Sequence, residues 1–298
     1  MGKKRKIINS TMSNGVKLIA IFNIVIVFMI FLFIFFNSLD FFMKYPINKF
    51  LFGEEWRIKI GNDLKSIFGM LPLLKGSLIV TFIAIIISVP LSFITTIYIA
   101  EFAGKKEREI MKILIETMAA IPSVVLGFIG LKILSTPIKD IFNLDSGKTA
   151  LTGGIILAFM AMPTIISISD DALKSLDKSY KDASLALGAT KLQTTFKVLV
   201  PAAFSGIFAS MMLGFGRVIG ETMTVLMVTG NAPIFKSSPL TSVRTMTATI
   251  AAEMGESVNG SLHQKSLFAI GLILFILTFL VNIIADHFVE KSRKKMRE

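Results

Sequence analysis

Apolar residues in this chain come in long runs, at about 18–38, 76–100, 110–133, 150–169, 202–229 and 266–286, with polar and charged segments between them. A helix needs about 20 apolar residues to cross a bilayer core, whereas a barrel strand needs only about 10 with strict alternation. The pattern predicts an all-α, polytopic integral membrane protein with about six transmembrane helices. The first run exceeds the hydrophobic core of a signal peptide, typically about 7–15 residues, and no small-x-small cleavage pattern follows it, so it reads as a retained helix. Pro90, Pro122 and Pro163 lie in or at the ends of apolar runs, where neighbouring helices can re-satisfy the backbone, and kinks are expected there.

Composition agrees with this reading. Of 298 residues, 53% are hydrophobic, and the mean hydropathy is +0.71. The net charge of +12 changes the picture only through its distribution. Nineteen Lys and Arg residues fall in segments 1–17, 101–112, 170–199 and 286–298, against eleven in 39–75, 134–149 and 230–265. Six spans place both termini on one side, and the positive-inside rule makes that side the cytoplasm. The surplus charge then suits anionic lipid headgroups. No interleaving of basic and aromatic residues points to nucleic acid. Phe41, Phe42, Tyr45 and Trp56, beyond the first run, are expected as interfacial aromatics.

Motifs for catalysis are weak. There is no cysteine, and His263 and His287 are the only imidazoles, so thiol chemistry is excluded and a zinc site has no ligand pattern. Gly147-Lys148-Thr149 ends like a phosphate-cradling loop, but Phe142 stands where its first glycine is required. Gly214, Gly216 and Gly220 give a dinucleotide-like loop one residue too long, with no strand before it. No nucleophile elbow occurs.

Two stretches remain. In GFGRVIGETMTVLMVTGN, residues 214–231, Arg217 and Glu221 interrupt an apolar, glycine-rich run. A charge at a helix centre costs about 2.5–3.5 kcal/mol on insertion scales, so it is kept only where it faces protein or water. The four-residue spacing puts both on one helix face, where pairing lowers the cost, and Gly216 and Gly220 allow close approach. One reading is an interhelical lock. The other is an anion path, with the guanidinium fork suited to an oxyanion and Glu221 as its resting partner. Glu116 either lines the same cavity or lies near the cytoplasmic surface. Arg244 and Glu253 either meet an external partner or are solvated.

The second stretch, 170–201, is long, polar and helical in propensity. Leu173, Leu176, Tyr180 and Ala183 recur at helical spacing, and Gly188 breaks the segment before a second short helix ending at Pro201. It is a docking element or an ordinary interfacial helix.

Asp182-Ala183-Ser184, three residues, Gly188, nine residues and Val198-x-Val200-Pro201 resemble the EAA loop of binding-protein-dependent ABC importer permeases, with conservative replacements at Asp182, Ser184, Val198 and Val200. The segments ASLALGATKLQTTFKVLVPAA, GRVIGETMTVLMVTGN, ETMAAIPSVVLGFIG, VRTMTATIAAEMGE and LFAIGLILFILTFLVNIIAD resemble the PstC-type permeases of Pst phosphate importers over roughly 70–287. PstA-type permeases typically read GETAP where this chain has Gly220-Glu221-Thr222-Met223.

The resemblance implies a type I (MetI-like) permease domain at 71–287. A tail, first helix and external segment would precede it at 1–70, and a basic cytoplasmic tail would follow at 288–298. It implies an ATPase-coupling surface at 170–201 carried by Asp182, Ala183, Ser184, Leu187, Gly188, Ala189 and Pro201. It further implies a substrate path at Arg217, Glu221, Thr222, Gly216 and Gly220. The implied partners are a PstA-like permease, a PstB-like ATPase dimer that alone uses ATP and Mg, and an external PstS-like binding protein for inorganic phosphate. No cofactor is expected on this chain. Sulfate or molybdate, or a secondary anion transporter independent of ATP, stay open as alternatives.

Overall fold

The computed structural model describes residues 2–59 and 66–295, with side chains at 12–59 and 66–290. Of the expected basic tail, 296–298 lie outside the described residues. The first helix, α1 (Gly2–Lys44), is far longer than the apolar run that predicts it. Then come α2 (Ile47–Phe52) and a two-stranded hairpin, β1 (Trp56–Arg57) and β2 (Ile67–Phe68), paired Trp56 to Phe68. Next follow α3 (Leu71–Ile97), a π-helical turn at Tyr98–Phe102, α4 (Lys105–Ala120), α5 (Ser123–Ile129) and α6 (Ser135–Ile141). The last part holds α7 (Ala150–Lys174), α8 (Lys178–Ala186), α9 (Lys191–Thr194), α10 (Val200–Ile219), α11 (Met223–Val228), α12 (Met246–Glu253) and α13 (Leu262–Lys295).

Among the described residues five helical spans are long and apolar enough to cross a bilayer: Met12–Lys44, Leu71–Phe102, Ala150–Lys174, Lys191–Ile219 and Leu262–Glu290. The sixth expected helix is not one rod. Its two parts, Lys105–Ala120 and Ser123–Ile141, meet at 95°. Pro122 is the cause: it lacks an N–H and pushes Ile121 into extended backbone. Pro90 and Pro163, by contrast, sit inside continuous helices. The expected run 202–229 also divides, because Gly220 ends α10 and a new helix starts at Met223.

The centre of the molecule is the packing of α3 on α7, with α10 against α7 on its other side. Small residues make this possible. Val80, Ala84, Ser88 and Ser92 of α3 are buried, as are Ala158 and Ala161 of α7. At Gly154 an added Cβ would lie 2.4 Å from the Ile83 side chain. Between helices in lipid, close backbone approach replaces the hydrophobic drive available in water.

The two ends differ. At one, residues 98–112 and 170–199 carry lysines and arginines. Buried Asp170 there gathers Arg108 at 3.3 Å, Lys112 at 3.1 Å and Lys174. At the other, Phe41, Phe50, Trp56 and Phe68 form an aromatic core with Tyr45 and Phe42 packed on it. The rings of Phe41 and Phe68 meet edge to face at 5.6 Å. This corrects the expectation of interfacial aromatics: Phe41 is fully buried and Trp56 is 6% exposed. They line a protein cap because the hairpin folds back over the end of α1.

Glu253 ties that cap together. Its carboxylate accepts from Trp56 Nε1 at 3.1 Å and from Arg244 Nη1 at 2.5 Å, and it meets His263 Nε2 at 2.9 Å. Arg244 Nε in turn donates to Asn231 Oδ1 at 3.1 Å. Arg244 and Glu253 are therefore each other's partners, neither solvated nor free for a docking protein. Burial alone would raise the Glu253 carboxyl, but His263, Arg244 and Trp56 together hold it below its ordinary value. A carboxyl held low contributes stability above the ordinary carboxylate value near 4.5, and that contribution is lost as pH falls through the lowered value. Glu253→Ala should lower stability by about 3 kcal/mol, since it takes the carboxylate from a partly buried Arg244 and leaves the Trp56 N–H unpaired. Thermal unfolding in detergent should show this loss near neutral pH, with the gap to the parent narrowing in acid below pH 4.5.

Candidate functional site

The two helix breaks meet inside the bundle. α5 begins beside α11, and Thr224 Oγ1 donates to the Ser123 carbonyl at 2.9 Å, joining the start of one short helix to the start of the other. The contact ties the two short helices together at the level of their breaks. Thr247 Oγ1, at the start of α12, donates to the Glu221 carbonyl at 2.9 Å. The segment 239–247 thus returns from the aromatic end: Ala150 and Leu151 at the start of α7 donate to Thr241 and Pro239, and Val243 donates to Thr229.

Arg217 lies on the last turn of α10, exposed on the surface of the single chain. Its Nη1 donates to Thr164 Oγ1 at 2.8 Å. Thr164 sits near the midpoint of α7, so the guanidinium lies close to the centre of the span. Among the described residues no carboxylate lies within ion-pair distance of it.

The expected Arg217–Glu221 pairing is therefore corrected. The face-sharing rule holds only along an unbroken helix, and α10 ends at Ile219; the turn bonds Gly220 N to Gly216 O and Glu221 N to Val218 O redirect the chain. Glu221 instead accepts the Thr224 N–H at 3.2 Å, satisfying an orphan donor at the start of α11. Behind it, Ser77, Thr81, Thr245 and Thr247 line a cavity of about 10 Å³, close to the size of one water. Thr222 bonds locally to the Gly220 carbonyl.

Gly216 and Arg217 also border a 340 Å³ cleft between α10 and α13, which carries Thr278 and Asn282 among apolar walls. The arrangement offers a fixed cation, carboxamide and hydroxyl groups in a mostly apolar setting, chemistry suited to a brief contact with an oxyanion. Glu116 is elsewhere. It lines a 110 Å³ pocket at the basic end with Lys112, Asp170 and Asp171.

The stretch 170–201 is built from two caps. Asp177 accepts from Ser179 N at 2.8 Å to start α8. At its end, Gly188 adopts φ +84°, with Gly188 N bonded to Leu185 O and Ala189 N to Ser184 O. This is the left-handed helix stop that glycine alone enters without cost, so the motif glycine has a backbone reason. Thr190 and Gln193 then cap α9 reciprocally, and Ser184 Oγ lies 3.0 Å from Thr194 Oγ1, folding α8 onto α9. Pro201 occupies the first turn of α10, where a missing N–H is harmless.

Asp182 and Ala183 are exposed, and Leu187 stands 90% exposed at the tip. The expected single apolar face from Leu173 to Ala183 is split at Ser175–Asp177. Leu173 and Leu176 join the internal cluster with Leu199 and Ala203, whereas Tyr180 points outward, 51% exposed. Gly147–Thr149, the phosphate-loop look-alike, caps α7: Thr149 Oγ1 accepts from Thr152 N.

Sequence reasoning missed Thr164, Thr224 and Thr247. A lone threonine in an apolar run carries no positional signal, and only the fold shows which carbonyl or guanidinium it reaches.

An exposed short helix between two spans, broken spans and a returning segment together define the fold of an ABC importer permease. The alginate ABC transporter shares it over 95% of this chain and 96% of its own, with TM-score 0.62 at 13% identity. The methionine transporter MetNI shares it over 75% and 94%, with TM-score 0.55 at 19% identity. The chain belongs to the family described as binding-protein-dependent transport system inner membrane component, whose pattern matches residues 92–294. It is 38% identical to the probable ABC transporter permease protein YqgH of Bacillus subtilis over 83% of this chain and 79% of that one. It is 34% identical to the phosphate transport system permease protein PstC of Mesorhizobium japonicum over 80% and 77%. Against the probable PstC of Methanocaldococcus jannaschii identity is 30%, over 92% of both chains.

Thr224→Val removes the bond to Ser123 while keeping shape. The variant should lose about 1 kcal/mol of stability, the net worth of the one hydrogen bond removed. A thermal unfolding comparison in detergent measures this directly.

Proposed function

We propose that this chain is one of the two membrane subunits of an ATP-driven importer of inorganic phosphate. It pairs with a PstA-like permease, a PstB-like ATPase dimer and an external PstS-like binding protein. The observation that carries the reading is Arg217: a guanidinium near the centre of a span, held by a neutral hydroxyl rather than a carboxylate, and open on the surface where a second permease would face it. A neutral holder leaves the cation's charge available to an anion, and a single cation binds weakly enough to release it. The names of the relatives favour phosphate over sulfate or molybdate.

In this reading the chain has no ATP site and catalyses no reaction; ATP and Mg belong to the partner ATPase. Residues 71–287 would be the permease domain, and the charge distribution supports cytoplasmic termini. Leu187, with Tyr180 and Leu185 beside it on α8, is the surface that the ATPase grips, and Gly188 fixes its angle. Closure of the ATPase on ATP moves α8, and α10 with the break at Gly220–Thr222 follows, exchanging outward and inward openings. Arg217 and Glu221 act separately: the first meets the anion, while the second holds the break together through Thr224 and a backbone bond to Thr247.

Arg217→Gln in the reconstituted four-component transporter should reduce ATP-dependent uptake of radiolabelled phosphate by about a hundredfold or more while the complex still assembles, since a charge-assisted contact in a dry site is lost. Uptake equal to the parent would reject the assignment, and parental uptake of sulfate in place of phosphate would reject the substrate. Gly188→Val has room for its side chain, as nothing lies within 4 Å, so its cost is the strain of φ +84°. About 1–2 kcal/mol of local destabilisation should tilt α8 and lower the phosphate imported per ATP. Unchanged coupling would count against α8 as the contact.

A further inference from the structure

We propose that the ion pair between Lys181 and Glu101, with the Lys191–Phe102 contact beside it, carries the displacement of α8 sideways into α3 and α4. The proposal rests on the coupling role given above to α8.

By its covalent links, α8 can pull only on its chain neighbours, α7 through Ser175–Asp177 and α10 through α9. It has no buried residues of its own and packs chiefly on α9 and the π-helical turn Thr195–Leu199. Yet α3 forms the most extensive interface with α7, and α4 continues from α3. A stroke that left these two behind would have to shear that interface.

The side chains provide a bridge. Lys181 Nζ lies 2.5 Å from Glu101 Oε2, joining positions 80 residues apart in sequence. The Glu101 side chain is 11% exposed and that of Lys181 37%. A pair with one partner withdrawn from water is screened less than a surface pair, and separating it would strand the more buried carboxylate. The neighbouring residue is gripped as well: Lys191 Nζ, at the start of α9, sits 5.0 Å from the centre of the Phe102 ring. Two cations of the coupling segment thus hold two consecutive residues of another span.

The place they hold is mechanically distinct. Glu101 and Phe102 lie in the π-helical turn, closed by a bond from Ala103 N to Tyr98 O at 2.8 Å. Such turns are irregularities in a helix and recur at functional positions. The turn is also fastened to α4: Tyr98 Oη donates to Glu107 Oε2 at 3.3 Å, and the same oxygen accepts from Gly104 N at 3.1 Å. Displacement of Lys181 therefore reaches Glu101, the turn, and through Glu107 the start of α4. α4 is otherwise held to α7 by Arg108 and Lys112 on Asp170. Lys181 and Glu101 are positioning residues: neither touches the anion, and both make α3 and α4 follow the stroke.

The complete transporter, reconstituted with its ATPase, second permease and binding protein, supplies the test. Glu101→Lys and Lys181→Glu should each leave ATP hydrolysis running while radiolabelled phosphate imported per ATP falls about tenfold, the scale on which coupling residues act. The double reversal should restore most of the import. Unchanged import per ATP in both single variants, loss of assembly and hydrolysis together with uptake, or a double reversal no better than the singles would overturn the proposal.

Since the chain has no cysteine, a Glu101→Cys, Lys181→Cys pair gives a second reading that needs no transported solute. A short thiol-bridging reagent should join the two positions equally fast in nucleotide-free and vanadate-trapped complexes, because they move as one body. A clear difference in rate between the two states would show them separating and would sink the proposal. A parent complex that imports no phosphate, yet shows equal bridging rates, would instead reject the substrate and keep the linkage.

Discussion

A chain that crosses lipid must pair every backbone N–H and C=O within protein, and this requirement decides where the molecule is allowed to be irregular. Each departure from the helix is closed by named partners. Beside Ile121–Pro122 the Ser123 carbonyl takes an added donor, Thr224 Oγ1, and at Gly220–Thr222 the Glu221 carbonyl receives Thr247 Oγ1 while its carboxylate receives the Thr224 N–H. The two openings are linked, since Thr224, just past the second, reaches the start of the helix that follows the first. A bundle of unbroken rods would satisfy the backbone more simply. It would also offer no place in the middle of the bilayer where side chains and water could be held apart from lipid.

Around that point the structure is graded in rigidity. The aromatic end is a dense cap pinned by one carboxylate, Glu253, with contacts from β1, the 230–245 loop and α13. The α3–α7–α10 layer is packed through small residues and hydroxyls, including Ser169 and Ser210 at 2.6 Å. The basic end is held by ion pairs, among them those of Asp170 and Glu101, with much of α8 in solvent. No residue of α8 is buried, so that helix can shift without the repacking that a close-packed core demands. Motion is therefore easiest around α8 and hardest where the helices cross.

Much of this was legible in the sequence, and the failures have identifiable causes. Run length located the spans because a bilayer imposes it directly, and the spacing from Asp182 to Pro201 located the exposed helix because its glycine serves a left-handed cap. Pro122 marked a weak point, but the size of the bend depends on α5 finding α11, a contact between residues about a hundred apart. Arg217 was found because charge in an apolar run is conspicuous. Its partner was not: helical spacing pointed to Glu221, whereas the helix stops between them and Thr164 takes the role. Trp56 and Glu253, 197 residues apart, look like separate surface features until the cap brings them together. Long-range pairing of side chains leaves no period to read.

The packing of α1 bears on how the protein is made. Its principal partner is α13, more than 200 residues further along the chain. At about 5–20 residues per second, ribosomal synthesis leaves the first helix without that neighbour for tens of seconds. Lipid tails are an adequate temporary solvent for its isoleucines and phenylalanines, and the two asparagines within the apolar run, Asn23 and Asn37, are already cared for locally. Asn23 Nδ2 donates to the Ile19 carbonyl at 3.0 Å and Asn37 Nδ2 to that of Phe33 at 2.8 Å. α1 is equipped to wait in the bilayer without its partner until α13 emerges.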